Sequence, residues 1–146
     1  MKKKLRKGVF FVVYSVKNGN PIYLLLKRKV HWIGWEFPKA GVEKYETKRH
    51  AVKRETKEET GLTPIKIKEY SYKGKYIYQK RFKDRIGYFG QTFSLYSAEV
   101  KYGKVRLDKK EHSDFIWVNY KNALKKLTHK NQKKSLKIVK DYLQNN

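Results

Sequence analysis

"PKAGVEKYETKRHAVKRETKEETGL", residues 38–62, concentrates carboxylates in a chain that carries 37 Lys and Arg against 13 Asp and Glu. Its second half has the marks of a short helix. Thr47 suits the N-cap, Ala51 and Val52 supply an apolar contact, and Gly61 at the C′ position accepts positive φ and stops the helix. On such a helix Glu55, Glu58 and Glu59 stand at i, i+3 and i+4, so their side chains project from one face. In water alone these acids repel one another and weaken the helix slightly. Two readings fit that spacing. A hard divalent cation such as Mg²⁺ or Mn²⁺, which prefers carboxylate oxygens, would hold them together. Alternatively they form a solvated face paired with Lys53, Arg54 or Lys57.

Outward from this helix the pattern changes to strands. "KGVFFVVYSV" (7–16) and "PIYLLLKRK" (21–29) are apolar, β-rich runs joined by "KNGN", a strong turn signal. "HWIGWEFPKAGVEKYE" (31–46) reads as a loop with at most one short strand. "IKIKEYSYKGKYIYQKRF" (65–82) alternates apolar or aromatic with charged residues and reads as a β-hairpin turning at "KGK". "RIGYFGQTFSLYSAEV" (85–100) is a further strand, with Gly90 marking a bulge or bend. "DFIWV" (114–118) is a short strand, and "YKNALKKL" and "NQKKSLKIVKDYLQNN" follow, the latter with Leu136, Ile138, Val139 and Leu143 near helical spacing. The order β-β-loop-α-β-β-β-α predicts one α/β (α+β) domain over 1–146, a mixed sheet with helices on both faces.

Length and composition fit that reading. The chain has 146 residues, 39% apolar, enough to bury a core without staples. It has no cysteine, which excludes disulfides and thiolate chemistry and fits a cytoplasmic, reducing setting. The start, "MKKKLRKGVFFVVYSV", has the basic-then-apolar order of a signal peptide. Its apolar run is short, includes Tyr14 and lacks a small-residue cleavage pattern, so a buried first strand is the better reading. No segment approaches the ~20 apolar residues of a membrane-spanning helix. The formal charge of +24 points to phosphate-bearing partners or, equally, to a Lys-rich compositional bias. The lysines at both ends read as solvated surface.

The acidic stretch resembles the Nudix box, G-x5-E-x7-R-E-U-x-E-E-x-G-U, with U a bulky aliphatic residue. From Ala40 to Leu62 the positions stand in register: Glu46, then Arg54, Glu55, Glu58, Glu59, Gly61 and Leu62. "WEFPK" (35–39) matches the family's approach to the box. The likeness covers essentially the whole chain and implies a Nudix-like α/β/α sandwich. Ala40 stands where the box has Gly, and Thr56 where it has an aliphatic residue; Thr56 needs a partner for its hydroxyl. By matched position, the resemblance implies Glu58 and Glu59 as metal ligands and Glu55 as ligand or water-activating base. It also implies Arg54 as the arginine that orients these carboxylates, Glu46 as auxiliary ligand or partner of that arginine, and the Lys39 carbonyl as a backbone ligand. The reaction implied is Mg²⁺- or Mn²⁺-dependent hydrolysis of a pyrophosphate linkage in a nucleoside diphosphate derivative.

The box leaves the substrate open. "HW" before "FPK", together with "VRLDKKEHSDFIWV", is similar to the asymmetrical diadenosine tetraphosphate hydrolases and makes Glu111 a candidate ligand or base. His31 is a candidate phosphate contact, or a bystander. Tyr76, Lys80 and Arg81 are candidate substrate contacts, since aromatic faces stack on bases and cations take phosphates; half of the tyrosines nearby fit equally well as buried sheet residues. The expected substrate is therefore a dinucleoside polyphosphate, split to AMP and ATP if it is diadenosine tetraphosphate. The alternative is an RNA 5′ end, favoured by the charge and by "GYFGQTFSL", and a third reading is a non-catalytic nucleotide- or RNA-binding Nudix domain. Monomer and homodimer are both compatible with the sequence.

Overall fold

The structure is a computed structural model, described over residues 4–78 and 87–145. Its order is β1 (Lys4–Arg6), β2 (Gly8–Lys17), β3 (Asn20–Arg28), β4 (Gly34–Glu36), β5 (Lys39–Gly41), α1 (Lys48–Thr60), β6 (Pro64–Ile77), β7 (Tyr88–Val100), β8 (His112–Val118), α2 (Tyr120–Lys126) and α3 (Lys130–Asn145). The strands form one mixed sheet. β2 runs parallel to β7 and antiparallel to β3, with β8 on the far edge of β3 and β6 on the far edge of β7.

β2 and β3 are joined by a tight turn with positive φ at both Asn18 and Gly19, a geometry that matches the twist of the two strands. They pair only beside that turn, from Tyr14↔Tyr23 to Lys17↔Asn20. Farther along they diverge. The first residues of β2 pair instead with β5, and the last residues of β3 with β4. Residues 34–41 thus fill the split, tied to β2 by the Phe11 N–H donating to the Pro38 carbonyl at 3.1 Å.

β2 and β3 are apolar throughout because both of their faces are covered. Val9, Phe11, Val13, Leu24 and Leu26 pack with Ala51 and Val52 of α1. The alternate residues Phe10, Val12, Tyr14, Tyr23 and Leu25 pack with Ala123 of α2 and Leu136 and Val139 of α3. Helices on both faces make the expected α/β/α sandwich. Among the described residues no helix is long and apolar enough to cross a membrane.

α1 has the predicted caps: Thr47 Oγ1 accepts from the His50 N–H at 3.0 Å, and Gly61 sits at φ +75°. Thr56 is fully buried, and its hydroxyl donates to the Val52 carbonyl at 2.7 Å, which satisfies it without a tertiary partner. Ala40 lies in β5 opposite Val9 and is absent from the positive-φ residues, so it carries none of the strain that a left-handed position would impose.

Two expectations need correction. Residues 64–77 form one continuous strand, and the part of the expected hairpin that falls on residues 79–82 lies outside the described residues. "KGK" runs straight through this strand, with Gly74 opposite Phe93. A Cβ on Gly74 would stand 3.0 Å from the Phe93 ring, so this glycine serves ring packing against the backbone. A bulge between Glu69 and Lys73 absorbs the register shift. Second, 31–46 contains two short strands where one at most was expected. The start also adds a strand: Lys4–Arg6 forms β1, parallel to β7, with a register shift between Lys4 and Leu5 opposite Tyr88 and Gly90, while Lys4 and Lys7 are exposed as expected.

Candidate active site

The C-terminal half of α1 lies over the split between β2 and β3, and Glu55 and Glu59 face a cleft there of about 60 Å³. Glu111 joins them from the segment leading into β8, while Arg6, Arg28 and Lys39 bring cations to the same walls. Gln91 and the backbone of Ala40 and Gly41 complete it. The Arg6 guanidinium lies directly against Gly41, where a Cβ would push the end of that side chain aside.

Arg54 organises the acids on the outer side. Its Nε and Nη2 donate to the two oxygens of Glu46 at 2.6 and 2.8 Å, a bidentate pair. Its Nη1 donates to Glu55 at 2.5 Å and to Glu58 at 3.4 Å. The Arg54 hydrogen bonds hold the Glu46 carboxyl down at about 2. Glu55 goes the other way: burial pushes it up to about 7, against the pull of Arg54 and with repulsion from Glu59 and Glu58 adding. Of the three acids predicted to converge, Glu55 and Glu59 line the cleft. Glu58 is 55% exposed and turns toward Arg54 at its rim.

Beneath the cleft lies a buried polar chain. Arg28 Nη1 donates to Glu36 Oε2 at 3.0 Å, with the two side chains 2% and 0% exposed. His112 Nε2 donates to the same oxygen at 2.8 Å, and its Nδ1 donates to Glu59 Oε2 at 3.0 Å. Burial opposes charge on the ring, yet its hydrogen bonds to two carboxylates lift His112 to about 9. Burial likewise raises Glu59, with Glu111 and Asp108 adding and His112 opposing. Burial alone favours a neutral Glu59, whereas His112 favours its anion. The anion is the form that lets both ring nitrogens donate at once. Glu36 is held below its ordinary range in spite of burial by His112, Lys39 and Arg28.

This arrangement decides what the site can hold. Ligand atoms of Glu59, Glu111 and His112 lie within 4.8 Å of one another. Both His112 nitrogens are committed to carboxylates, so the ring has no lone pair for a metal. The donors left are the oxygens of Glu55, Glu59 and Glu111, a set suited to a hard cation such as Mg²⁺ or Mn²⁺. Such an ion would also offset the burial and mutual repulsion that raise Glu55 and Glu59.

The remaining predicted residues are spread around this centre. Lys39 Nζ stands 3.7 Å from Glu36 Oε1 and lies 5.9 and 5.7 Å from the ring centres of Trp32 and Tyr76. His31 Nδ1 stands 3.3 Å from Arg28 Nη2, at the edge of the buried chain. Tyr76 packs against the α3-face core beside Phe10. Lys80 and Arg81 lie outside the described residues. Four participants were missed: Arg6, Arg28, Glu36 and His112. Strand alternation held a signal for Arg28, which shares a face with Leu24 and Leu26, and "EH" held one for His112.

Residues 4–139 match the family described as NUDIX domain. The chain is 31% identical over 133 residues to an RNA pyrophosphohydrolase of Nitratiruptor sp., covering 87% of this chain and 86% of that protein. It is 26% identical over 116 residues to an RNA pyrophosphohydrolase of Campylobacter jejuni subsp. doylei, covering 73% and 71%. In fold it is similar to an Ap4A hydrolase of C. elegans, solved as a binary complex, with TM-score 0.76 at 22% identity over 97% of this chain and 100% of that one.

Proposed function

This chain belongs to the NUDIX family, a pyrophosphohydrolase by that membership, and we propose that it removes pyrophosphate from the 5′ ends of RNA. The observation that carries the reading is the cleft itself, in which Glu55, Glu59 and Glu111 meet Arg6, Arg28 and Lys39. Acids at the centre and cations on the walls suit a polyanion approached through a divalent ion. Support for RNA comes from the names of the relatives that match most of both chains, and from a charge of +24 that draws extended polyanions.

Glu55, Glu59 and Glu111 of the cleft would hold Mg²⁺ or Mn²⁺, with the Lys39 carbonyl and Glu58, swung in from the rim, as further donors. The bound ion would neutralise the pyrophosphate and acidify a water. Glu55 faces the cleft and is held by Arg54, which places it to take the proton of an attacking water. Arg54 fixes Glu55 in place through their hydrogen bond and keeps Glu46 as its own counter-charge. Water adds to one phosphorus, the P–O–P bridge breaks, and the bridging oxygen leaves on the other phosphate. Arg6 and Lys39 supply positive charge where that leaving group departs.

A second reading, hydrolysis of a dinucleoside polyphosphate such as diadenosine tetraphosphate, is favoured by the place of Glu111 in the cleft beside Glu55 and Glu59. The test is direct competition. 5′-Triphosphorylated RNA and diadenosine tetraphosphate are incubated in parallel with the protein and Mg²⁺ at matched salt, and products are quantified. Faster release of pyrophosphate from RNA is the expected result; preferential formation of AMP and ATP would transfer the assignment to the second substrate.

A further inference from the structure

His112 is fully buried, comes from the first residue of β8, and is used by no step above. Its ring spans two carboxylates that come from separate elements, Glu36 at the end of β4 and Glu59 in the last turn of α1. Its Nδ1 and Nε2 stand 3.0 and 2.8 Å from oxygens of Glu59 and Glu36, so turning the ring would break both bonds together. The far end is itself fastened. Glu36 Oε2 also accepts from Arg28, whose Nε donates to the Val30 carbonyl at 2.7 Å. The backbone beside the histidine is held too, by the Lys29 N–H donating to the Glu111 carbonyl at 2.9 Å. Glu59, by contrast, is a long side chain at a helix end, and its hydrogen bond to His112 Nδ1 fixes it.

We propose that His112 is a positioning residue that fixes one oxygen of Glu59 and so presents the other to the cation, with Glu36 and Arg28 anchoring the histidine from below. The inference rests on the reading of Glu59 as a metal ligand. It goes beyond that reading by assigning specific work to a histidine that would otherwise be counted as a ligand or as packing. Outer-shell partners of this kind change metal affinity by about 10–100-fold when removed.

The experiment is Mn²⁺ binding followed by electron paramagnetic resonance, on the unaltered protein and on E59Q, H112Q, H112N and the double variant E59Q/H112Q. Asn places its amide near Nδ1 and keeps a donor toward Glu59; Gln places it near Nε2 and keeps one toward Glu36. E59Q and H112Q are each expected to weaken Mn²⁺ by about 10–100-fold, and H112N by only about 3-fold. The double variant is expected to be no weaker than E59Q by more than about 3-fold, because His112 acts through Glu59. Equal weakening by H112N and H112Q would mark a merely structural histidine and overturn the proposal. So would parent-like binding by H112Q while E59Q binds poorly, which leaves the metal assignment standing. Parent-like binding by E59Q would overturn the ligand reading and the proposal together.

Should the His112 variants fail to fold, the unaltered protein still decides. The Nδ1–H proton resonance of His112 must shift as Mg²⁺ saturates the site, and that shift must vanish in E59Q. A resonance indifferent to Mg²⁺ overturns the proposal.

Discussion

Replacing Arg28 by methionine removes the guanidinium from a pair in which both side chains are almost wholly shielded from water. The stem is roughly conserved, so the principal change is electrostatic: Glu36 keeps its charge and loses its nearest guanidinium. Breaking one side of a buried pair costs about 3–5 kcal/mol. Two cations remain, His112 at 2.8 Å and Lys39 at 3.7 Å, which places R28M near the lower end, about 3 kcal/mol. For a chain of this size that converts to a fall in Tm of roughly 9 °C. Removing the stranded charge as well should restore part of the loss, so R28M/E36Q is expected to melt above R28M by several degrees. Thermal unfolding followed by circular dichroism at pH 7 checks both. A fall of less than about 3 °C in R28M, or a double variant no more stable than the single one, would refute the claim that Arg28 and Glu36 neutralise each other beneath the cleft.

Gly61→Ala places a side chain at φ +75° and its Cβ 3.2 Å from that of Arg106; chemical denaturation should show a loss of about 1–2 kcal/mol. Glu46 supplies a pH dependence. Its folded carboxyl is depressed from 4.5 to about 2, so its stabilisation is complete above its unfolded value and is lost as pH falls through that interval. Because the Arg54–Glu46 pair keeps some contact with water, chiefly at Arg54, the loss is expected to be about 1 kcal/mol after screening, and E46Q should flatten the unfolding free energy between those limits. Under the proposed ligand role, Glu58→Gln removes a donor charge from an exposed side chain, so turnover should fall while stability changes by about 0.5 kcal/mol or less.

The sandwich was legible because its central strands and α1 each announce themselves locally: unbroken apolar runs, an Asn-Gly turn, a Thr cap and a Gly stop. The box positions fixed which acids to watch. What local pattern could not supply is contact between segments far apart in sequence. Glu36, Glu59 and His112 converge only because β4 fills the split beside β3 and β8 lines the opposite edge. The same limit explains Gly74, whose Lys-Gly-Lys setting imitates a turn but whose missing side chain makes room for Phe93 on the neighbouring strand. Arg6 sits in a basic run that reads as solvated surface, and only the pairing of β1 with β7 brings its guanidinium against Gly41.

One assay bears on all of this: release of pyrophosphate from 5′-triphosphorylated RNA, followed by ³¹P resonance with Mg²⁺ present and then with Mg²⁺ chelated, for the parent protein and E59Q. The carboxylate cleft predicts release that stops on chelation and falls by at least ~100-fold in E59Q. Release that persists without a divalent ion, or that proceeds at the parent rate in E59Q, would contradict it.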